Sequence, residues 1–338
     1  MTTLSYATLC SGIEAVSLAW DELGMSPVFF ADNASFPTRF LAHRFPDVPN
    51  LGDLLKIDGT QYTHKVDVLW ASFPCQDFSE AGKGRGVDGA RGSLTLAGIR
   101  VVDEIDPKVF CFENVTGLLN DPKNAFGQFL GALCGEFGPL LPTGSGWTDA
   151  GYVLGPRRAI AWRVLDAQHF RLPQQRRRVF LVACPRTGPD PREILFERLA
   201  QEDPDAQCPS GGTALDAGDD RGPHGPAYAV AIRGRKLRGG GPVNLSQIEQ
   251  GGEISNCLRA SQGGSDKAFV LTRETGRWDV RALTPVECER LMGMPDDWSL
   301  IPGASVSQRL HAIGNSLAVP CVRFIGERIV QVMKPEGT

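Results

Sequence analysis

The 338-residue chain has no cysteine pair spaced CxxC, no run of about 18 to 20 uninterrupted apolar residues, no internal repeat and no excess of positive charge. Each absence excludes something. The nine cysteines (Cys10, Cys75, Cys111, Cys134, Cys184, Cys208, Cys257, Cys288 and Cys321) are odd in number and scattered, which argues against a disulfide framework and a zinc site and leaves most of them as small buried hydrophobes. Without a long apolar run there is no candidate membrane helix, and Met1-Thr2-Thr3-Leu4 enters a core-like segment instead of a basic-then-apolar signal. A soluble, cytoplasmic protein is expected. The 35 basic against 39 acidic side chains give a net charge of -4, so any nucleic-acid surface must be a local patch. What is present, 42% hydrophobic residues, suffices for a full core and excludes disorder, and the length makes two domains a fair expectation.

Over the first half of the chain, short apolar runs alternate with stretches of helical spacing. Leu4 to Leu9, Val28 to Ala31, Val66 to Ala71, Lys108 to Phe112 and Val179 to Ala183 read as buried strands. Glu14 to Leu23, Phe36 to His43 and Ser93 to Ile105 read as the helices between them. The pattern predicts a doubly wound α/β domain with a parallel sheet and ligands at the carboxyl ends of its strands.

After Pro185 the composition changes. Residues 187–220 set Arg192 and Arg198 against Asp190, Glu193, Glu197, Glu202, Asp203, Asp205, Asp216, Asp219 and Asp220, and read as a linker or solvated loop. Residues 221–281 reverse the balance, with Arg221, Arg233, Arg235, Lys236, Arg238, Arg259, Lys267, Arg273, Arg277 and Arg281 against five acids, and glycine pairs make short strands and long turns the expectation. Thr284-Pro285-Val286-Glu287 has the cap, first-position proline and acid of a helix start leading to Leu291, and a last helix is expected from about Ser316 to Met333.

Several residues at strand ends carry chemistry. Cys10-Ser11-Gly12-Ile13 ends the first strand, where a doubly wound sheet presents backbone amides to a cofactor, although a lone glycine there also has a plain structural reading. Asp32, followed by Asn33, stands where a carboxylate reaches ribose hydroxyls or merely caps a turn, and Asp53 could approach an adenine amino group or sit in a plain loop. Pro74-Cys75-Gln76 follows the third strand, which exposes Cys75 at the ligand edge. Behind it, Ser79, Lys83 and Arg85 belong to a glycine-rich basic segment suited to close over a polyanion. Glu113, ending the next strand, is either a capping residue or an acid. An acid there would serve a thiolate attacking carbon 6 of a pyrimidine, which needs a proton donor at ring nitrogen 3. Gln174-Gln175-Arg176-Arg177-Arg178 leads into the fifth strand, within a run of eight arginines from Arg157 to Arg186 accompanied only by Asp166, read as a near-pure arginine surface.

In that order the motifs resemble the DNA cytosine carbon-5 methyltransferases. The family's Pro-Cys-Gln matches Pro74, Cys75 and Gln76, its Glu-Asn-Val matches Glu113, Asn114 and Val115, and its Gln-x-Arg-x-Arg matches Gln174, Arg176 and Arg178. A Thr-x-x-Glu-Cys-x-Arg-Leu-x-Gly-x-Pro segment matches Thr284 to Pro295, and Gly-Asn-Ser matches Gly314, Asn315 and Ser316. The resemblance covers about residues 4–185 and 281–332, and the stretch between is where this family keeps its variable target recognition domain. The chain departs from the family at Cys10, Glu14 and Ala15, where an aromatic residue and paired glycine are usual, and at Asp32-Asn33, where Glu and an aromatic residue are usual.

The resemblance implies a Rossmann-like S-adenosylmethionine-dependent methyltransferase fold with a smaller, irregular target recognition domain. Residues 1–185, completed by 307–338, would form the large domain and 186–306 the small one, with DNA in the cleft. It implies methylation at carbon 5 of a flipped cytosine in duplex DNA, of restriction-modification or phage type, without a metal. Catalysis would fall to Cys75, Glu113, Arg176 and Arg178. The methyl donor would lie against Cys10, Ser11, Gly12, Ile13, Asp32, Asn33, Asp53, Pro74, Asn315 and Ser316. DNA would be held by Gln76, Ser79, Lys83, Arg85, Arg233, Arg235 and Arg238. A monomer is expected, with a cognate restriction endonuclease as a candidate partner. The competing readings are an RNA methyltransferase of the same family, a methylase of free pyrimidine nucleotides, and a DNA-binding regulator without activity.

Overall fold

The apolar runs of the first half become strands of one sheet in the computed structural model, which describes residues 3–73, 94–196, 228–232, 248–252, 254–258, 267–274 and 277–333. Strand β1 (Ser5–Leu9) is parallel to β2 (Ser26–Ala31) on one side and to β3 (Val68–Ala71) on the other, and β3 is parallel to β4 (Val109–Val115). Strands β5 (Ala150–Leu154), β6 (Arg158–Asp166) and β8 (Arg177–Pro185) complete seven strands in the order β2-β1-β3-β4-β8-β6-β5. The expectation of a parallel sheet is corrected in this half: β8 is antiparallel to β4, and β5 to β6. An apolar run reports burial on both faces but carries no sign of direction.

Helices between the parallel strands bury one face. In α3 (Leu94–Ile105), which follows α1 (Ala15–Trp20) and α2 (Ser35–Arg44), the buried residues are Thr95, Gly98, Ile99, Val101, Val102 and Ile105, the spacing of a single helical stripe. Gly98 is there for contact: a β-carbon at that position would stand 2.4 Å from the Phe73 ring. That ring, fully buried, also packs against Phe112 at 5.0 Å and Phe129 at 6.1 Å, centroid to centroid. Burying such a side chain stabilises by roughly 1.5–3 kcal/mol, so the chain is anchored immediately before Pro74. Phe129 belongs to α4 (Ala125–Cys134), a helix not singled out in the sequence, which starts at the left-handed Asn124, whose side chain accepts from the Gly127 amide, and ends at Gly135 with φ 88°. A five-residue helix, α5 (Pro191–Leu195), lies in the acidic stretch read as a linker.

Between residues 196 and 284 the described segments are mostly strands. β9 (Tyr228–Ile232), β10 (Ile248–Gly252), β12 (Lys267–Glu274) and β13 (Arg277–Ala282) form an antiparallel sheet in the order β10-β9-β12-β13, and β7 (Gln174–Gln175) pairs in parallel with β11 (Ser255–Asn256). Helix α6 (Pro285–Leu291) starts as its sequence predicts, with Thr284 and Glu287 closing a capping box. The last helix, expected from about Ser316 to Met333, is α8 (Val319–Met333), and before it stands a helix not singled out in the sequence, α7 (Val306–Asn315), opened by a second capping box between Ser305 and Gln308. Pro320 keeps the two apart, since a residue without an amide proton fits the first turn of a helix but not its interior.

Two compact units result. One comprises Met1–Leu165, Arg177–Ala200 and Val322–Thr338, the other Asp166–Arg176 and Gln201–Cys321. The first holds the seven-stranded sheet, and the second is braced by a buried cluster in which Arg309 donates to Glu289 at 3.0 Å while Glu289 also accepts from Ser299 and Asp297. Among the described residues no helix is long and apolar enough to cross a membrane.

Candidate active site

Register on the sheet brings Glu113 and Arg178 together. Glu113 in β4 stands opposite Phe180 in β8, so Arg178, two residues along the same strand, projects from the same face as Phe180 and reaches Glu113 diagonally. Their Nε and Oε1 atoms are 3.2 Å apart, and the Glu113 residue is only 8% exposed, so the carboxyl is held out of bulk water. The neighbouring Asn114 donates from Nδ2 to the Phe73 carbonyl at 3.1 Å and accepts the Val115 amide at 2.9 Å. Because β3 and β4 are parallel with Ala71 beside Phe112, the chain leaving β3 toward Pro74 does so next to Glu113, tied there by Asn114. Pro74, Cys75, Gln76, Ser79, Lys83, Arg85, Arg233, Arg235 and Arg238 lie outside the described residues.

The other predicted residues of the large unit gather at the ends of β1 and β2. Cys10 and Gly12 both take left-handed backbone conformations, φ 55° and 58°. The Ser11 amide donates to the Ala31 carbonyl at 3.2 Å, and the Gly12 amide donates to Asp32 Oδ2 at 2.9 Å. Ile13 is fully buried, so it offers a ligand its backbone alone. Asn33 is exposed, and Asp53, whose alternative reading is a plain loop, caps a short turn by accepting the Leu55 amide at 3.1 Å. Asn50, unremarked in the sequence, organises the edge. Its Oδ1 accepts the Asp32 and Gly52 amides and its Nδ2 donates to the Asp32 carbonyl, each at 3.0 Å. Burial, with Asp32 beside it, pushes the Cys10 thiol up to about 12, which keeps it protonated and unreactive near neutral pH.

Glu14, one of the departures from the family pattern, is 1% exposed and caps α1 from a left-handed conformation. Burial pushes its carboxyl up to about 7, opposed by hydrogen bonds from Ser17, Thr8 and Ser11. The folded protein therefore holds this proton more tightly than the unfolded chain, where the group titrates at its ordinary value of 4.5. Stability from this group is greatest below about 4.5 and is lost as pH rises toward 7. Glu14→Gln cannot ionise, so its stability relative to the parent should improve by about 3 kcal/mol between pH 4.5 and pH 8 in urea unfolding. Parallel pH curves for the two proteins would contradict this.

Arg176 departs from its expected place. It is 3% exposed, and its guanidinium donates to the carbonyls of Leu258 at 2.9 Å, Gly314 at 3.2 Å and Ser316 at 2.6 Å. It thus pins the Gly314-Asn315-Ser316 turn within the second unit. Ser316 is buried there, while Asn315 is exposed with its amide 3.1 Å from His311 Nε2. The arginine surface read from the sequence is corrected as well. Arg157 and Arg158 both pair with Asp103, at 2.7 and 2.6 Å, and Arg177 pairs with Asp149 at 2.5 Å. Arg186 donates to the Gly155 carbonyl at 3.2 Å. These acids lie at least 28 residues away in sequence, where a local charge count does not find them.

Comparison with known proteins places this arrangement. Residues 4–206 and 236–331 match the family described as C-5 cytosine-specific DNA methylase. A protein named DNA N-6-adenine-methyltransferase, from Escherichia phage P1, is 31% identical over an alignment covering 98% of this chain. The chain spans only 62% of that relative's length. The Type II methyltransferase M.DsaV of Dactylococcopsis salina is 25% identical, with 97% of this chain and 86% of the relative covered. A crystal structure of a mutant DNMT2 from Spodoptera frugiperda superposes with a TM-score of 0.63 at 18% identity, over 97% of this chain and 99% of that one, which establishes a shared Rossmann-like fold. With the family match spanning most of the sequence and both the large sheet and the C-terminal motifs inside it, the chain belongs to the C-5 cytosine-specific DNA methylases.

Proposed function

We propose that this chain transfers a methyl group from S-adenosylmethionine to carbon 5 of cytosine in duplex DNA. The observation that carries the reading is the Glu113 and Arg178 pair at 3.2 Å, half-sealed from water beside the point where β3 delivers the chain to Pro74 and Cys75. The target base has to leave the stack, at a cost of a few kcal/mol, because carbon 6 is out of reach inside the duplex. The Cys75 thiolate adds to carbon 6, Glu113 gives its proton to ring nitrogen 3, and carbon 5 becomes electron-rich. S-adenosylmethionine, when bound, supplies the electrophilic methyl group. Removal of the carbon 5 proton then returns the electron pair to the ring and expels the thiolate. Arg178 holds Glu113 and the base. Arg176, committed to carbonyls of the second unit, braces the Gly314-Asn315-Ser316 turn, so the base-holding share first expected of it passes to Arg178.

The edge formed by β1 and β2 fits the methyl donor. A β-carbon at Gly12 or at Gly52 would meet nothing within 4 Å, leaving open space where a ligand can approach the backbone. Asp32 spends one lone pair of each oxygen on the amides of Gly12 and Ala34 and keeps the others for ribose hydroxyls. The backbone of Cys10 to Ile13, with Asp32, Asn33 and Asp53, would hold the donor there, joined by Pro74 as the family resemblance implies. Base readout belongs to the small domain and its arginines Arg233, Arg235 and Arg238. The protein acts as a monomer in the cytoplasm, with a restriction endonuclease as its partner enzyme. The adenine activity in the phage relative's name does not transfer, because more than a third of that protein has no counterpart in this chain.

Asn114 supplies a prediction that separates positioning from binding. Asn114→Ala removes the donor to the Phe73 carbonyl and should lower kcat by about 10- to 100-fold, because small misplacements of a nucleophile cost on that order. KM for DNA should stay within about threefold. Steady-state kinetics on duplex DNA check this, and an unchanged kcat would remove Asn114 from the account. The function itself is tested by offering radiolabelled donor with duplex DNA, transfer RNA or free deoxynucleotides. Label should enter duplex DNA, and label confined to either alternative would replace the reading.

A further inference from the structure

The departure at Glu14 has a structural role that the reaction scheme leaves unused. Glu14 accepts from Thr8 Oγ1 at 2.5 Å, from Ser17 Oγ at 2.5 Å and from the Ser17 amide at 3.3 Å, while Tyr6 donates to Ser17 Oγ at 2.8 Å. Thr8 Oγ1 is in turn 2.7 Å from Ser11 Oγ, which accepts the Ala31 amide at 2.9 Å. One residue on, Gly12 donates to Asp32. A continuous chain of hydrogen bonds thus runs from a buried carboxyl to the two strand ends assigned to the methyl donor.

The direction of that chain depends on one proton. An ionised Glu14 can only accept, so Thr8 and Ser17 both point their protons at it, and the one proton of Ser11 Oγ is directed at Thr8, toward its Oγ1 or toward its carbonyl at 3.2 Å. A protonated Glu14 has to donate to one of these hydroxyls, which turns that hydroxyl's own proton elsewhere. If the proton goes to Thr8, the reversal passes on to Ser11, inside the turn. We propose that Glu14 is a positioning residue whose ionised form holds the β1–α1 turn in the donor-binding arrangement, so that affinity for the methyl donor depends on its protonation state. The inference rests on the reading of that turn as part of the donor site.

Other ionisable groups around it do not substitute for Glu14. Tyr6 on β1 reaches it only through Ser17, and burial with Glu14 nearby holds the phenol far above its ordinary range. Cys10 and Asp32 stand across the turn, and Asp21 follows α1. On α8, whose Gly326 abuts Trp20, Arg323 pairs with Glu22 and Glu327, and Arg328 with carbonyls of residues 193 and 194. With the carboxyl poised at about 7, the change falls across neutral pH.

Calorimetric titration of the full chain with S-adenosylhomocysteine, which binds without reacting, tests this between pH 5.5 and 8.5. Affinity of the parent should fall by about tenfold for each unit below pH 7, the limit for binding that requires one deprotonation. Glu14→Gln should bind weakly with no such slope. Glu14→Gly, which suits the residue's φ of 51° and so should fold, should also lose the slope. A parent without the slope, or variants that keep it, overturns the proposal while leaving the donor site in place. Absence of binding at every pH in a folded parent would instead remove the donor site itself.

Discussion

Glu113→Gln should slow methyl transfer by about 100-fold or more, the range of a lost general acid, while DNA affinity changes less than about threefold. The amide has nearly the size of the carboxyl and can still donate a hydrogen bond to ring nitrogen 3, so the base stays held. It has no proton to transfer, and negative charge builds on the ring as the thiolate adds. Glu113 is 8% exposed with Arg178 3.2 Å away, so water cannot readily take over as the acid. Single-turnover rates read against equilibrium DNA binding separate the two effects. A loss below tenfold is too small for the role assigned to Glu113.

The second large effect is all-or-none and concerns Cys75. Addition to carbon 6 creates a bond between protein and DNA that, once carbon 5 is methylated, breaks only when the carbon 5 proton departs. Fluorine at carbon 5 cannot leave as a proton, so a duplex carrying 5-fluorocytosine at the recognised site should hold the protein in a complex that survives denaturing electrophoresis. Trapping should require S-adenosylmethionine and should vanish in Cys75→Ser, whose hydroxyl is far less ionised than a thiol near neutral pH. Peptide mapping that places the bond on another cysteine would sink Cys75 as the nucleophile. Cys10, a thiol at the end of β1, is held protonated by burial and should carry no adduct.

What the sequence made legible follows from how local its signals are. The strands β1 to β4, the helices that bury one stripe, and the capping box at Thr284 are encoded in residues within a turn or two of one another, and they stand where the sequence expects them. Placing Glu113 beside the exit of β3 also followed from strand order. The direction of β8 was not legible, since the same apolar run suits either orientation. Nor were the partners of the arginines: Asp103 captures Arg157 and Arg158 from 54 and 55 residues away, and Arg176 reaches carbonyls 82, 138 and 140 residues distant. Charge counting along the chain therefore overstated the surface free to meet phosphate. Asn50 escaped notice because an asparagine in a loop has no pattern around it, and its value lies in bridging Asp32 and Gly52. Glu14 stood out only as a departure, and burial supplied its meaning.

The central claim is the identity of the methylated atom. It is tested most directly by incubating the protein with unmodified duplex DNA of mixed sequence and isotopically labelled S-adenosylmethionine, digesting the DNA to nucleosides, and identifying the labelled product by mass spectrometry. The account predicts label in 5-methyl-2′-deoxycytidine alone, and none when Cys75→Ser replaces the parent. Label in N6-methyl-2′-deoxyadenosine, the product suggested by the name of the phage relative, or on the exocyclic nitrogen of cytosine would contradict it.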